Sequence, residues 1–241
     1  MAVRAVHSHK GGVGKSTICA AIAGELAARG RSVLIVDCDR NHPFRLWQNS
    51  SFIPQEIEVV AIGTVNDLYR AVEIGKAEFD ETLIDLPAGA SELALNAIAL
   101  SDAVLVPFRA GPLDVEEAIR THASVLDFAL KANQRLPLVT CIPMSLNAFA
   151  RHERIPRESI DRIQEIPGIS VTYGTTERTA YRALFDPILG GRTLQTMPET
   201  TTGIDVVRLQ VAHIVSDLDD RLLRHREGHT RPVRAQKRND V

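Results

Sequence analysis

The sequence predicts a single α/β domain built on one doubly wound, mostly parallel β-sheet flanked by helices. Three observations predict it. Strand-like and helix-like segments alternate along most of the 241 residues, the order that builds a parallel sheet through crossover connections. Several strand segments are continuous apolar runs, such as Ser-Val-Leu-Ile-Val at 32–36, as strands covered on both faces should be. A glycine-rich loop, His9-Lys10-Gly11-Gly12-Val13-Gly14-Lys15-Ser16-Thr17, lies between the first strand and the first helix, at a strand end where open α/β sheets bind ligands.

The elements follow in order. Residues 2–7 form the first strand. Residues 15–29 carry Ile18, Ile22 and Leu26 at helical spacing, and Gly30 stops the helix. Residues 32–36 and 56–62 are the next strands, followed by a helix over 65–74. Strands over 81–86 and 103–108 enclose a short helix over 92–100. A long helix covers 115–132. The strand over 136–142 has Pro137 at its beginning, where a missing N–H is tolerated. A helix over 151–165 is interrupted or restarted by Pro156. A last strand at 169–173 precedes a short helix at 179–189 and a long one at 204–223. In that last helix Ile204, Val207, Val211, Ile214, Val215, Leu218 and Leu222 form one core-facing stripe. Beyond Leu223 almost nothing is apolar, and the segment reads as disordered. The expected division is a domain over 1–224 and a basic tail over 225–241.

Composition narrows the class. With 44% hydrophobic and 24% charged residues the chain is globular, not collagenous, disulfide-scaffolded or wholly disordered. No apolar run is long enough to span a membrane, and the N-terminus lacks the pattern of a secretory signal. Cys19, Cys38 and Cys141 are far apart, which suits a reduced, cytosolic protein. The net charge of −2 hides an asymmetry: residues 221–241 hold seven Lys/Arg and two acids, leaving 21 basic and 28 acidic residues in the rest. An acidic body with a basic tail points to a polyanion contact at the tail.

The loop carries the chemistry. Its glycines let consecutive N–H groups turn toward phosphate oxygens, and the helix N-terminus adds partial positive charge. Lys15 can reach the β- and γ-phosphates, Ser16 can place its hydroxyl on Mg²⁺, and Thr17 is positioned for the α-phosphate. Position 9 is His where the general phosphate loop has Gly, and Lys10 directly precedes Gly-Gly. With this deviant form, Lys-Gly-Gly-x-Gly-Lys-Ser, the sequence resembles the ParA/MinD family of dimeric ATPases.

The resemblance implies a P-loop NTPase fold, ATP and Mg²⁺ as cofactors, and a homodimer formed with ATP. It implies that Lys10 reaches across the dimer to the partner's nucleotide. Lys10, Lys15 and Asp39 would then serve catalysis, while Gly11, Gly12, Val13, Gly14, Lys15, Ser16, Thr17 and Gly89 would bind the nucleotide. Asp37 and Asp39 end the second strand, two residues apart and so facing the same side. The resemblance gives Asp39 the attacking water and Asp37 the Mg²⁺ environment. Asp85-Leu86-Pro87-Ala88-Gly89 resembles the family's D-x-x-x-G box. There Asp85 would hold Mg²⁺ through water, and Gly89 would let the backbone approach the γ-phosphate. The Pro107–Asp114 stretch resembles the Pro-rich loop of small plasmid ParA proteins. Residues 173–197, with Arg178, Arg182, Gly191 and Leu194 matching, resemble their late region, near which the adenine should lie. After Asp39 the run Arg40-Asn41-His42-Pro43, followed by Trp47, resembles the ParA-like branch that promotes T-DNA transfer. Trp47 itself reads best as a helix residue packed on the sheet edge.

ParA-type proteins bind DNA nonspecifically as ATP dimers, which requires clustered Lys/Arg. The candidates are Arg178, Arg182, Arg192, Arg208 and, in the tail, Arg231, Arg234, Lys237 and Arg238. A centromere-binding or relaxosome protein is the implied partner, and a nucleoid-associated, cytoplasmic location follows. MinD-type relatives carry an apolar membrane-anchoring helix at the C-terminus. Residues 224–241 contain no Leu, Ile, Phe or Trp, so no membrane anchor is expected. Cys19 and Cys38 lie within motif-bearing elements and Cys141 on a later strand, so none is free for the paired-cysteine cluster of the nitrogenase iron-protein branch.

Overall fold

The computed structural model describes residues 1–131, 135–146, 154–188 and 191–230. The apolar runs become seven strands: β1 (Ala2–Val6), β2 (Val33–Asp37), β3 (Ile57–Ala61), β4 (Glu81–Asp85), β5 (Ala103–Arg109), β6 (Leu138–Met144) and β7 (Ile169–Val171). All pairings are parallel, in the order β3-β2-β4-β1-β5-β6-β7. The helices are α1 (Lys15–Ala28), α2 (Val65–Glu78), α3 (Glu92–Leu100), α4 (Pro112–Lys131), α5 (Arg154–Gln164), α6 (Thr179–Ala183) and α7 (Ile204–Thr230).

Alternation along the strands divides the core into two layers. Val6, Val33, Ile35, Leu83, Leu105 and Ile142 face α1 and α7. Val3, Leu34, Val36 and Ile84 face α2 and α3, while Val104, Val106, Val139 and Cys141 face α4 and α5. Helix α1 is sandwiched between the sheet and α7. It is apolar nearly all round for that reason, and Gly24 sits where a Cβ would come within 2.8 Å of Thr193 Cβ.

Pro107 and Pro143 lie inside β5 and β6. Pro107 is tolerated because the pairing of β5 with β1 ends at Leu105, so its missing N–H breaks no ladder on that side. In α5, Pro156 falls in the first turn, where its missing N–H is harmless. The short helix expected over 179–189 stops at Ala183.

Helix α7 extends beyond the apolar stripe that ends at Leu222, across the expected boundary at 224. Polar contacts hold this extension. His225 Nε2 lies 3.0 Å from the Leu136 carbonyl, and Arg226 donates to the Met1 carbonyl and pairs with Asp102 at 3.1 Å. Nearer the sheet, Asp219 of α7 joins Arg31 and the buried Arg4–Glu81 pair at the end of the sheet remote from the loop. The tail candidates Arg231, Arg234, Lys237 and Arg238 lie outside the described residues.

Candidate nucleotide-binding site

β1 lies between β4 and β5, so its C-terminal end opens at the point where the chain switches direction across the sheet. Residues 7–14 leave that end and turn into α1. Gly14 adopts φ +103°, a left-handed conformation that calls for glycine.

The sheet register sets three acids beside the loop. Asp85 pairs with Val6 on one side and Asp37 on the other. Asp85 is fully buried, and its Oδ2 accepts the Ser16 hydroxyl at 2.6 Å. Its Oδ1 has no hydrogen-bond partner. Burial pushes the Asp85 carboxyl up to about 7, and nearby Asp37 adds to the shift against the Ser16 hydrogen bond. Asp37 is also raised by burial, although its oxygens accept the Asp39 and Phe44 N–H groups at 3.1 and 3.3 Å. Asp39 is half-buried and accepts the Asn41 N–H at 2.9 Å.

Lys15 is buried, and desolvation lowers its pKa against the pull of Asp85 and Asp39. Among the described residues its Nζ reaches only the Lys10 carbonyl, at 3.4 Å. The ammonium of Lys10 is exposed and pairs with Asp114 in the first turn of α4, at 2.7 Å. A cleft of about 200 Å³ continues from the loop, between Gly12–Gly14 and Thr17 on one side and Thr175–Arg178, Tyr181 and Arg182 on the other. Thus one cleft wall comes from residues 175–182, within the 173–197 region. Gly89, at φ +85°, follows β4.

Some participants escaped the sequence reading. Arg109 lines the cleft and donates to the Gly12 carbonyl at 3.4 Å. Asp114 is the partner of Lys10. Both belong to the Pro-rich loop that the sequence singled out, but only folding puts that loop against the glycines. His7, under the loop, is buried with its pKa lowered to about 4, chiefly by desolvation.

The arginine candidates do not form one free cluster. Arg178 is in the cleft wall, with a buried Nε that lacks a partner. Arg182 is exposed and pairs with Glu177. The Arg192 guanidinium lies 3.3 Å from the centre of the Phe52 ring. Arg208 donates to the carbonyls of Leu194, Gln195 and Met197 and pairs with Glu199. Trp47 follows a 3-10 turn at Pro43–Leu46, packs against Phe44 and Phe185, and donates to the Leu184 carbonyl at 2.9 Å. The three cysteines are free and buried. No described helix is long and apolar enough to cross a membrane.

Asp85 sets up a pH test. Its folded pKa is about 7, well above the ordinary value of about 4. Between those values the folded state keeps a proton that the unfolded state has lost, so stability falls as pH rises through the window. Asp85→Asn should therefore stabilise the nucleotide-free, metal-free protein above about pH 7 by up to about 4 kcal/mol, seen as a higher melting temperature. Below about pH 4 it should change little. Calorimetry at both ends of the window checks this; equal effects at both would contradict the buried-charge assignment.

A seven-stranded parallel sheet with a Lys-Gly-Gly-x-Gly-Lys-Ser loop at its switch point defines a P-loop ATPase of the ParA/MinD type. Comparison with known proteins agrees. A family model described as VirC1 protein matches residues 1–222, and the chain belongs to that family. Protein ParA of Rhizobium radiobacter is 29% identical over 187 residues, covering 77% of this chain and 82% of that protein. Protein virC1 of Rhizobium rhizogenes is 34% identical over 135 residues, 54% of this chain and 58% of that protein. The solved septum site-determining protein MinD from Pyrococcus horikoshii, complexed with Mg-ADP, has a TM-score of 0.63 at 17% identity, covering 93% of this chain and 98% of that one.

Proposed function

We propose that the chain is a Mg²⁺-ATP-dependent, dimerising ATPase that partitions or positions DNA, holding DNA nonspecifically in the ATP state and releasing it on hydrolysis. One observation carries the nucleotide reading: the Ser16 hydroxyl and a buried Asp85 with a free oxygen stand beside the desolvated Lys15 at a helix N-terminus. A buried carboxylate oxygen without a partner and a buried ammonium are costly alone. A polyphosphate with a hard divalent cation satisfies both, since Mg²⁺ takes few protein oxygens beside phosphate and water.

In this reading Ser16, Asp85 and Asp37 would hold Mg²⁺, which would neutralise charge on the phosphates of ATP. Lys15 and the N–H groups of residues 11–17 bind phosphate oxygens. Gly89 lets its backbone approach the γ-phosphate end. Asp39 orients the water that attacks the γ-phosphorus, giving ADP and phosphate. The adenine occupies the cleft beside Thr175 and Tyr181. Lys10 acts on the partner protomer's nucleotide and must leave Asp114 to do so. Lys10→Ala should consequently bind nucleotide normally, yet show neither ATP-dependent dimerisation nor stimulated hydrolysis. Mixing it with a Lys15-disabled protein that retains Lys10 should restore part of the activity. Full activity of Lys10→Ala by itself would remove the trans role.

DNA pelleting with ATP and with ADP tests the whole reading; binding in neither state refutes the DNA part. The tail is expected to contribute. Because α7 uses His225 and Arg226 to hold the body, the informative truncation removes 231–241 only. It should spare DNA-free hydrolysis, lower DNA affinity, and flatten the log–log salt dependence by up to about 7, for the eight tail cations of a dimer. A second reading is favoured by the VirC1 family match and the Asp-x-Asp-x-Asn-x-Pro…Trp form. It makes the ATPase an adaptor that recruits a conjugation or T-DNA-transfer relaxosome, or a MinD-like cargo positioner. Pull-down of a relaxase rather than a small centromere-binding protein would select the adaptor.

A further inference from the structure

Between Asp39 and Glu56 the chain contains no acid, in a body where acids outnumber basic residues. That stretch holds Arg40, His42 and Arg45, with the amides of Asn41 and Asn49 beside them. Arg40 and Arg45 are exposed, and neither guanidinium makes an ion pair or hydrogen bond among the described residues. Arg45, Asn41, His42, Asn49 and Phe185 line an open groove separate from the nucleotide cleft.

The turn that carries them is clamped from behind. Phe44 is fully buried, Trp47 is anchored on the Leu184 carbonyl, and Ser50 Oγ donates to the Gly191 carbonyl at 2.8 Å. Across the groove's margin the carboxylate of Asp186 turns Oδ1 back onto the Ile188 N–H at 2.8 Å, and Arg192 covers Phe52.

We infer that this turn is the face that binds the DNA backbone, with Arg40 and Arg45 on phosphates and the Asn41 and Asn49 amides on phosphate or sugar oxygens. The inference rests on the reading that the ATP-bound protein binds DNA. Charge complementarity selects the occupant: two unpaired arginines and flanking amides, with no acid between Asp39 and Glu56, suit a phosphodiester chain. A fixed turn presents these groups with little ordering cost on binding. Contacts limited to phosphate and sugar carry no sequence information, in keeping with nonspecific binding.

The same turn connects DNA to nucleotide. It begins at Asp39, and Asp37 holds both its start and the Phe44 N–H. Arg40 and Arg45 therefore sit on the segment whose N–H groups bind the nucleotide-side carboxylates. A shift of Asp37 or Asp39 with nucleotide moves the arginines, which makes DNA affinity depend on ATP.

The test compares full-length wild type with Arg40→Ala/Arg45→Ala, using fluorescence anisotropy of a labelled random-sequence duplex over a salt series, with ATP and with ADP. In ATP the double variant should lose at least about tenfold in affinity, and its log–log salt slope should fall by up to about 3.6 for the four arginines of a dimer. DNA-free hydrolysis and nucleotide affinity should stay at wild-type levels. Arg40→Lys/Arg45→Lys, which keeps the charge and guards against a folding artefact, should keep most of the slope. Unchanged affinity and slope in the alanine variant, with wild type binding DNA, would overturn the placement and leave the surface to an acidic protein partner. Wild type failing to bind DNA in ATP would overturn the placement together with the function it rests on.

Discussion

Replacing Lys15 by alanine is expected to abolish nucleotide binding while leaving the fold intact. In the nucleotide-free protein its ammonium is buried against the loop, and among the described residues its one hydrogen bond is the long one to the Lys10 carbonyl. Burial already disfavours its charge, so removing it relieves a cost and breaks no strong contact. With nucleotide the balance reverses. Charge-assisted bonds to two phosphates are worth about 3 kcal/mol or more, at least a hundredfold in affinity. Equilibrium titration with a fluorescent ATP analogue, alongside a thermal melt, reads both halves. Wild-type affinity would refute the phosphate-loop assignment, and a large fall in melting temperature would show that Lys15 supports the apo fold instead.

The loop was legible because its chemistry is local: glycines, a lysine and a hydroxyl within nine residues, between a strand and a helix. The strands were legible because burial on both faces leaves apolar runs. What the sequence hid depends on distant partners. Nothing near Arg226 announces Met1 or Asp102, so α7 was expected to end with its apolar stripe. Trp47 was expected on a helix at the sheet edge, and it instead pins a turn after β2 to the chain beyond α6. Arg208 and Arg182 look like free cations in the sequence, yet three carbonyls and Glu199 take up the first, and Glu177 the second. Arg40 and Arg45 drew no notice as a pair because only the fold shows that no acid among the described residues pairs with them.

Replacing Asp39 by alanine is expected to leave ATP affinity near wild type and to slow hydrolysis by a factor of ~10², about 3 kcal/mol of lost water positioning. The carboxylate has the right surroundings: half-buried at the end of β2, beside Asp37, and held by one hydrogen bond from the Asn41 N–H. It does not contact Ser16 or Lys15 through a hydrogen bond, so ground-state binding should not depend on it. A dimer that forms with ATP and cannot hydrolyse it should accumulate, visible by size-exclusion chromatography with ATP and not with ADP. The alternative is that Asp39 only shapes its turn, since the bond to Asn41 closes an Asx-turn. Asp39→Asn separates the two roles. Asparagine can still accept that N–H through its carbonyl oxygen, so the turn survives, but it has no charge with which to orient the attacking water. A slow Asp39→Asn protein with an unchanged melting temperature supports the catalytic role. An asparagine variant that hydrolyses ATP at the wild-type rate would reduce Asp39 to a turn residue and require another group to hold the water.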